Sequence, residues 1–386
     1  MGLKIAFIGA RGIPHTYASA EELVYQVGSR LIDRGHTFIV YCHKNLFPKN
    51  SLAVYEGFQR IFIPAINHKY FGQGVHALLS SIDVCFRDVD IIHVQCLNNV
   101  FQAIIPWVWG KSVMVNVDGQ AWMDPKWIKW QRELFFGLAR RVAVKISLTF
   151  VTDAQGMREI YLNDFKRDSA VIEYGADLEI SSNAELLDLY GLEPQKYYFV
   201  AARISQGNKT DVIIDAFNKV NSERILVIAG GHSYGSNWSK ELAKRVGERV
   251  RFLGHISDRA HIKELYCNAF AYLHGASLGG VNSALLRPLG CGCCVLAFDT
   301  PFNREVIEMK DGNLAGFLWR NADELSNKIE LIENDFATLE TMRRRGATRI
   351  REAFTWDRIA NQYEVLYKGI AEGLSSEIIR KQVAAV

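Results

Sequence analysis

The strongest constraint on the fold is a pattern of strand, glycine loop, helix and strand that the chain uses in both halves. In the first half, KIAFIG is followed by the loop ARGIPHTYAS, the segment AEELVYQVGSRLIDRGH and the strand TFIVYC. Apolar residues change from a continuous run to helical spacing at Leu23, Val24, Val27 and Leu31, and Gly35 ends the helix. The later apolar runs RIFIPA, DIIHVQ, SVMVNVD and LTFVTD extend this βαβ unit into an open parallel sheet.

The pattern starts again at YYFVAARI and continues through the strands RILVIAGG, VRFLGH, AFAYLHG and CCVLAFD, with helical segments between them. The sequence therefore predicts an α/β protein with two parallel-sheet domains, residues 1–178 and residues 179–355. The polar segment SSNAELLDLYGLEPQ follows the last strand of the first half and predicts the boundary. The terminal segment, residues 356–386, begins with the amphipathic WDRIANQYEVLYKGI and is predicted to pack back on the first domain.

Composition narrows the class of protein. Lys and Arg exceed Asp and Glu by only three among 386 residues, 45 against 42, which argues against a nucleic-acid partner. The seven cysteines are odd in number and lack the paired spacing of a small secreted domain, which predicts a reducing, cytoplasmic environment. Cys291, Cys293 and Cys294 do not have the spacing of metal ligands, so no metal site is predicted there. The first apolar run is too short for a signal peptide, and no run of about eighteen apolar residues predicts a membrane span.

Ligands of open parallel sheets bind beyond the carboxyl ends of the strands, so the polar residues that follow each strand are the candidates. Asp118 follows SVMVNV and could be a general base, a ligand of a substrate hydroxyl or a loop cap. Arg203 and Lys209 follow YYFVAA as a pair of cations suited to a diphosphate, or else as two solvated surface charges. Gly12, in the loop GARGIP, indicates either a tight strand-to-helix turn or a ligand contact.

The stretch SLGGVNSALLRPLGCG, residues 277–292, predicts a glycine turn that leads into a short helix. Gly279 and Gly280 are followed by Asn282 and Ser283, which are residue types that cap a helix N-terminus. The free N–H groups and the dipole of such an N-terminus attract a phosphate, so we expect these residues to bind an anionic ligand. Arg287 lies one turn further along this helix.

Together these segments resemble the GT-B glycosyltransferases of family 4, and in particular a bacterial rhamnosyltransferase-like branch that builds cell-surface polysaccharides. The resemblance covers nearly the whole chain. It is carried by IGARGIP with Tyr17 and Glu21, VDGQAW with Lys126 and Trp127, VIEYGAD, AARI, FAYLHGASLGGVNSALL, FDTPFNREV and FTWDRIANQYEVLY.

The resemblance implies two Rossmann-like domains that face each other across a cleft, with a nucleotide-sugar on the second and an acceptor on the first. It implies a retaining transfer without a metal or other cofactor, from a UDP- or dTDP-linked sugar, rhamnose or a related hexose, to a glycan or a lipid-linked acceptor. Arg203 and Lys209 would hold the diphosphate, although Lys209 is shifted by about one place from the family's usual pattern. The helix start at Asn282 and Ser283 would face the diphosphate or the sugar, and Asp118 would touch the sugar or the acceptor.

The chain departs from the family at three places. Ala18 and Ser19 replace a usual pair of glycines, and Gln206, Gly207 and Asn208 replace a usual acidic or lysine-containing segment. Arg287 stands where the family has a glutamate that binds the ribose hydroxyls of the donor, and Pro288 follows it.

Three interpretations of Arg287 are open: altered donor recognition, a site without turnover in a protein that acts as a binding or scaffolding subunit, or a side chain in solvent. Unless Pro288 lies in the first turn, it is expected to strain or kink the helix. A phosphorylase-like or synthase use of the fold is a further alternative for the function.

Residues 122–145 mix tryptophan and phenylalanine with lysine and arginine. This mixture is typical of a helix that lies on an anionic membrane surface, where a lipid-linked acceptor would be found. The alternative is a helix with its aromatic residues packed inward and a solvated basic face.

Overall fold

The computed structural model describes residues 2–14, 19–66, 72–120, 130, 132–231, 241–242, 244–277, 279–280 and 283–386. The chain divides into two compact units. The first unit comprises Met1–Tyr174 and Trp356–Val386, and the second comprises Gly175–Thr355.

The first segment of the chain supplies eight strands and five α-helices among the described residues: β1 (Lys4–Ile8), α1 (Ser19–Ile32), β2 (Thr37–His43), β3 (Val54–Tyr55), β4 (Phe58–Ile63), α2 (Gly72–Cys85), β5 (Ile91–Gln95), α3 (Ile104–Val108), β6 (Val113–Val117), α4 (Gly137–Ile146), β7 (Phe150–Thr152), α5 (Gln155–Phe165) and β8 (Ala170–Val171). A π-helical turn, Arg132–Phe136, precedes α4.

The second unit contains β9 (Tyr197–Ala201), α6 (Thr210–Lys219), β10 (Ile225–Ala229), β11 (Val250–Gly254), α7 (Arg259–Cys267), β12 (Ala271–His274), α8 (Ser283–Gly290), β13 (Cys294–Phe298), α9 (Pro301–Ile307), β14 (Phe317–Trp319), α10 (Ala322–Asn334) and α11 (Phe336–Ala353). The chain then returns to the first unit with α12 (Trp356–Ala371) and α13 (Ser376–Ala385).

The sheet of the first unit has the strand order β3-β4-β2-β1-β5-β6-β7-β8. Its central strand β1 pairs in parallel with β2, where Lys4 is opposite Thr37, and with β5, where Ile5 is opposite Ile91. All pairs are parallel except that of β3 with β4. The central strands are mostly apolar because a parallel sheet is buried on both faces, and His93 and Gln95 of β5 and Asn116 of β6 are buried polar exceptions.

The C-terminal helices pack within the first unit. α12 packs on α1 and on α13, and it buries Tyr363 and Tyr367 completely or nearly so. The packing of α12 on α1 follows from its own pattern, because Ile359, Tyr363, Leu366 and Ile370 recur at helical spacing on its buried side.

The sheet of the second unit has the order β11-β10-β9-β12-β13-β14, and every pair in it is parallel. α6 and α10 pack together over a core that contains Phe217, Leu273, Leu296 and Trp319. The prediction of two parallel α/β domains is confirmed. Within the part of the chain that the structure describes, every helix is too short or too polar to cross a lipid bilayer.

Candidate functional site

Asp118 lies at the carboxyl edge of the first sheet, directly after β6, and is half-buried. Its Oδ2 accepts a hydrogen bond from the hydroxyl of Tyr174 at 3.1 Å and a weaker one from the Sγ of Cys96 at 3.5 Å. Burial, together with the nearby carboxylate of Asp118, raises the pKa of the Cys96 thiol well above its usual value. The thiol therefore stays protonated and donates to Asp118.

Gly12 has a conformation that favours glycine, with φ at +125°. A Cβ atom at this position would lie 2.7 Å from the Sγ of Cys42 and 2.8 Å from the ring of Phe47. These contacts show that the loop GARGIP is a tight turn here. The neighbouring Glu21, which is 3% exposed, accepts a hydrogen bond from the N–H of Arg11 at 2.6 Å and so fixes the same loop. A ligand contact at Gly12 stays a prediction.

At the carboxyl edge of the second sheet, three loops are held together by hydrogen bonds. Ser277, after β12, donates to the carbonyl of Gly207, after β9, from both its N–H at 2.9 Å and its hydroxyl at 2.8 Å. The amide Nδ2 of Asn303, in α9, donates to the carbonyl of Ala276 at 2.9 Å and to that of Phe298 at 2.8 Å. These bonds fix the loops after β9, β12 and β13 relative to one another.

Lys209 joins this group of loops. Its Nζ lies 5.2 Å from the centre of the Phe298 ring at the end of β13, within the range of a cation–π interaction. Its backbone is left-handed, with φ at +49°, at the position that precedes α6. The side chain of Arg203 is exposed, and its carbonyl accepts a hydrogen bond from Asn208 at 2.7 Å.

The helix predicted after the glycine turn is α8, which begins at Ser283. Asn282, the predicted capping residue, lies outside the described residues. Gly279 has φ at +121°, a conformation that favours glycine, and a Cβ there would meet no atom of the described residues within 4 Å. Gly280 is buried.

Arg287 shares one face of α8 with the start of the helix. Ser283, Ala284 and Arg287, at positions i, i+1 and i+4, are half-buried, whereas Leu285 and Leu286 are fully buried. Among the described residues, none forms an ion pair or a hydrogen bond with the Arg287 guanidinium. Arg287 therefore lies one turn after Ser283 on the same half-buried face of α8.

Pro288 lies in the second turn of this eight-residue helix, not in the first. It has no N–H to donate to the carbonyl of Ala284, so α8 lacks that bond. Two carbonyls in the last turn of α8 are nevertheless satisfied. Cys291 donates its N–H to the Arg287 carbonyl at 2.9 Å, and Cys293 donates its N–H to the Pro288 carbonyl at 2.8 Å. Pro288 lies two residues before the end of α8.

A cavity of about 480 Å³ lies beside β14 in the second unit. Asp299 on its wall accepts hydrogen bonds from Arg304 at 2.9 Å and from Arg320 at 3.1 Å. Lys328 of α10 and Arg345 of α11 complete a lining with more cations than carboxylates. All the lining residues lie between Asp299 and Arg345.

The first unit exposes a large apolar patch on α2, α3 and the segment that leads into α4. We call it the apolar patch, and it comprises Leu78, Leu79, Ile82, Phe86, Trp107, Val108, Trp109, Trp130, Leu134, Phe135 and Leu138. The rings of Phe86 and Trp109 lie 5.5 Å apart, and those of Phe101 and Phe135 lie 5.2 Å apart, so the elements are contiguous.

The basic residues of α4 continue the apolar patch. Leu134, Leu138, Arg141 and Lys145 recur at helical spacing, and all four are exposed. Phe136, on the other side, is fully buried, so this segment has apolar residues on both its inner and its outer face. Residues 122–129 and 131 of the predicted membrane segment lie outside the described residues.

Comparison with known proteins identifies the fold. Residues 190–349 match the family described as Glycosyl transferases group 1. Sucrose-phosphate synthase from Thermosynechococcus elongatus is similar in structure, with a TM-score of 0.79 and 16% identity over 96% of this chain and 100% of that one. The chain has the GT-B fold.

Two further structures support this assignment. HepE of Anabaena, solved with UDP and glucose, has a TM-score of 0.73 and 17% identity over 94% of this chain and 98% of that one. The catalytic domain of starch synthase IV from Arabidopsis thaliana, bound to ADP and acarbose, has a TM-score of 0.72 and 15% identity over 96% and 100%. The chain matches no curated protein in sequence. The rhamnosyltransferase-like branch stays a prediction.

The matched segment contains Arg203, Lys209, Ser283 and Arg287, so all the predicted diphosphate residues that the structure describes fall within it. Sequence reasoning named Asp118 but missed the partners that hold it. Tyr174 is part of the segment VIEYGAD, and its position after the last strand of the first sheet is the one signal that could have indicated it.

Proposed function

We propose that the protein is a retaining glycosyltransferase that moves a sugar from a nucleotide-sugar to a glycan or lipid-linked acceptor in bacterial surface polysaccharide synthesis. The donor is UDP- or dTDP-linked, the sugar is rhamnose or a related hexose, and the reaction needs no metal. The observation that carries this proposal is the match of residues 190–349 to Glycosyl transferases group 1, because that segment supplies the group of loops around Lys209.

The proposed reaction is a transfer on one face of the sugar. The bond between the sugar C1 and the donor phosphate oxygen breaks, a bond from C1 to the acceptor oxygen forms, and the acceptor proton passes to the departing phosphate. Arg203, Lys209 and the N-terminus of α8 stabilise the negative charge on that diphosphate, and Asp118 binds a hydroxyl of the sugar or the acceptor. The protein acts mainly by positioning both substrates.

The role of Arg287 distinguishes an active transferase from a subunit without turnover. Its charge favours contact with a phosphate of the donor, because a guanidinium cannot accept the hydroxyl hydrogen bonds of a ribose. The second candidate is a binding or scaffolding subunit without turnover, in which the same charge has closed the site to nucleotides.

Calorimetric titration with UDP, dTDP and GDP tests the proposal. Arg344, an exposed arginine of α11, offers a matched control, since Arg344→Glu makes the same change of charge as Arg287→Glu. Binding by the native protein that Arg287→Glu alone abolishes supports a donor ligand. No binding by the native protein, with binding restored by Arg287→Glu, supports the scaffolding subunit. Absence of nucleotide binding in all three proteins overturns the transferase proposal.

We also propose that the first unit contacts an anionic membrane surface through the apolar patch. Tryptophan is favoured at the boundary between lipid and water, and Trp107, Trp109 and Trp130 are all exposed there. Arg141 and Lys145 on the same side of α4 complement anionic headgroups.

Flotation with vesicles of phosphatidylcholine, with and without phosphatidylglycerol, tests this contact. Phe86→Glu is expected to abolish binding, and Arg141→Glu with Lys145→Glu is expected to remove the preference for the anionic lipid. Leu189→Glu, at an exposed leucine of the second unit, is the control. No flotation of the native protein overturns the membrane proposal and leaves the transferase proposal intact.

A further inference from the structure

A buried row of polar side chains runs from α12 through the first sheet to Asp118. The hydroxyl of Tyr367 lies 2.8 Å from Nδ1 of His93, and Nε2 of His93 lies 3.1 Å from Oε1 of Gln95. Nε2 of Gln95 lies 3.3 Å from the hydroxyl of Tyr174, which lies 3.1 Å from Oδ2 of Asp118. The first four residues are each 3% exposed or less.

The carboxylate fixes the direction of every hydrogen bond in this row. An ionised carboxylate only accepts, so the single proton of the Tyr174 hydroxyl is donated to Asp118. The tyrosine oxygen then accepts from the amide of Gln95, which must present its Nε2 to Tyr174 and its Oε1 to His93. His93 therefore donates from Nε2, and its unprotonated Nδ1 accepts from Tyr367.

The row contains only neutral groups behind its terminal carboxylate. Burial lowers the pKa of His93 to about 3, so the imidazole is uncharged near neutral pH. Aligned donors in a chain polarise one another, and all of them point toward Asp118. Among the described residues, none donates a hydrogen bond to Oδ1 of Asp118, so that oxygen is available to a ligand while Oδ2 is held.

We propose that Tyr174 is a positioning residue that holds Oδ2 of Asp118. It is the last donor in a row of hydrogen bonds that begins at Tyr367 and in which each group donates to the next. The effect of this chain on sugar transfer rests on the proposed role of Asp118 in binding a substrate hydroxyl. The direction of these hydrogen bonds and the tautomer of His93 do not rest on that role. The hydrogen-bond direction and the effect on sugar transfer can therefore be tested separately.

Nitrogen-15 NMR of histidine-labelled protein tests the direction. The His93 ring, identified by its contacts with the rings of Tyr363 and Tyr367, is expected as a single neutral tautomer protonated at Nε2. In Tyr174→Phe the Gln95 amide loses its acceptor and is free to turn, so a share of the tautomer protonated at Nδ1 is expected. A native tautomer protonated at Nδ1, or no change in Tyr174→Phe, overturns the proposal.

Tyr363→Phe is the matched control. Tyr363 is as buried as Tyr174, its hydroxyl accepts from Nδ2 of Asn116 at 2.8 Å, and its ring stacks on His93, yet it is outside the row. Its loss should leave the tautomer unchanged. If Tyr174→Phe does not fold, Tyr367→Phe gives the answer, because Gln95 still requires a proton on Nε2 of His93. A change to the Nδ1 tautomer in Tyr367→Phe overturns the proposal.

The kinetics of sugar transfer test whether Tyr174 positions Asp118 or only stabilises the fold. Tyr174→Phe is expected to lower kcat about tenfold and to leave KM for the nucleotide-sugar unchanged, whereas Tyr363→Phe changes kcat less than twofold. Equal loss in both variants overturns the positioning role. If the tautomers behave as expected but the native protein transfers no sugar, the proposed function fails and the chain of hydrogen bonds stands.

Discussion

The hydroxyl of Tyr174 donates to Oδ2 of Asp118 across 56 residues of sequence, at a distance of 3.1 Å. The tyrosine follows the edge strand β8, and the aspartate follows the more central β6, so the order of the strands brings the two together. This bond holds one carboxylate oxygen of Asp118, and no described residue donates a hydrogen bond to the other.

Asp118→Asn is expected to lower the turnover of sugar transfer at least about a hundredfold, because an amide is a much weaker hydrogen-bond acceptor for a reacting hydroxyl. Nucleotide affinity should stay unchanged, since the predicted diphosphate residues belong to the second unit. Turnover measured with a nucleotide-sugar, beside calorimetry with the nucleotide, checks both expectations. Asp33→Asn, at an exposed aspartate after α1, should be neutral. Full turnover in Asp118→Asn contradicts the role.

The parallel sheets could be predicted because most residues of their strands are apolar, without the alternation of a half-exposed strand. A parallel strand is buried on both faces, so runs such as SVMVNV and CCVLAF carry their own signal, and the residue that follows them must lie at a ligand-binding edge. Asp118 lies directly after β6, and Lys209 lies in the loop after β9, as the strand pattern predicts.

The contacts of the site could not be predicted, because they depend on residues that meet only in the fold. Nothing near Gly207 in the sequence indicates that Ser277 donates to its carbonyl twice. The left-handed backbone of Lys209 is similarly hidden, because lysine does not favour it. Pro288 lies outside the first turn of α8, two residues before the helix ends, so the strain or kink expected there stays a prediction.

Two substitutions of Lys209 separate the effect of its backbone strain on stability from the effect of its charge on nucleotide binding. A residue with a Cβ in the left-handed region costs about 1 kcal/mol relative to glycine, so Lys209→Gly should be more stable to unfolding than Lys209→Ala by about that amount. Both variants should weaken nucleotide binding about tenfold or more, because both lose the ammonium group. Urea unfolding and calorimetry provide the two measurements.

Lys166 is the control for this pair. It has φ at +53° at the end of α5 in the first unit, where its N–H donates to the carbonyl of Leu162 at 3.0 Å. Lys166→Gly should exceed Lys166→Ala in stability by a similar amount, with no change in nucleotide binding. Nucleotide binding that survives in Lys209→Ala would remove Lys209 from the proposed donor site.

Gly275 fixes the distance between two of the loops at the second sheet. A Cβ there would lie 2.1 Å from the carbonyl oxygen of Asn208, so Gly275→Ala must displace the loop that precedes Lys209. We expect a loss of about 1–3 kcal/mol in the free energy of unfolding, together with weaker nucleotide binding. Gly231→Ala is the control, since a Cβ there meets no atom within 4 Å in the part of the chain that the structure describes, and it should change stability by less than about 0.5 kcal/mol. Undiminished nucleotide binding in a folded Gly275→Ala would show that this loop does not contribute to the donor site.

Glu264 gives the second unit a stability that depends on pH. Its buried carboxylate accepts hydrogen bonds from the hydroxyl of Ser181 at 2.6 Å and from the N–H groups of Ser182 at 2.9 Å and Asn183 at 3.1 Å. Burial alone would raise the pKa of Glu264, but these hydrogen bonds outweigh it and lower the pKa from 4.5 to about 2. The folded state therefore binds the proton more weakly than the unfolded state.

The sign of the effect follows from this difference in pKa. The stabilisation is complete above the unfolded pKa of 4.5 and is lost as the pH falls from there through about 2. The unfolded state binds the proton more tightly, so a falling pH favours unfolding. Glu264→Gln should lower the free energy of unfolding by about 2–3 kcal/mol at pH 7. The free energies of unfolding at pH 7 and pH 3 should also differ less in this variant than in the native protein. Urea titrations at both pH values measure this. Glu185→Gln, at an exposed glutamate of the same segment, should change neither quantity, and an equal pH dependence in Glu264→Gln and the native protein would show that another carboxylate is responsible.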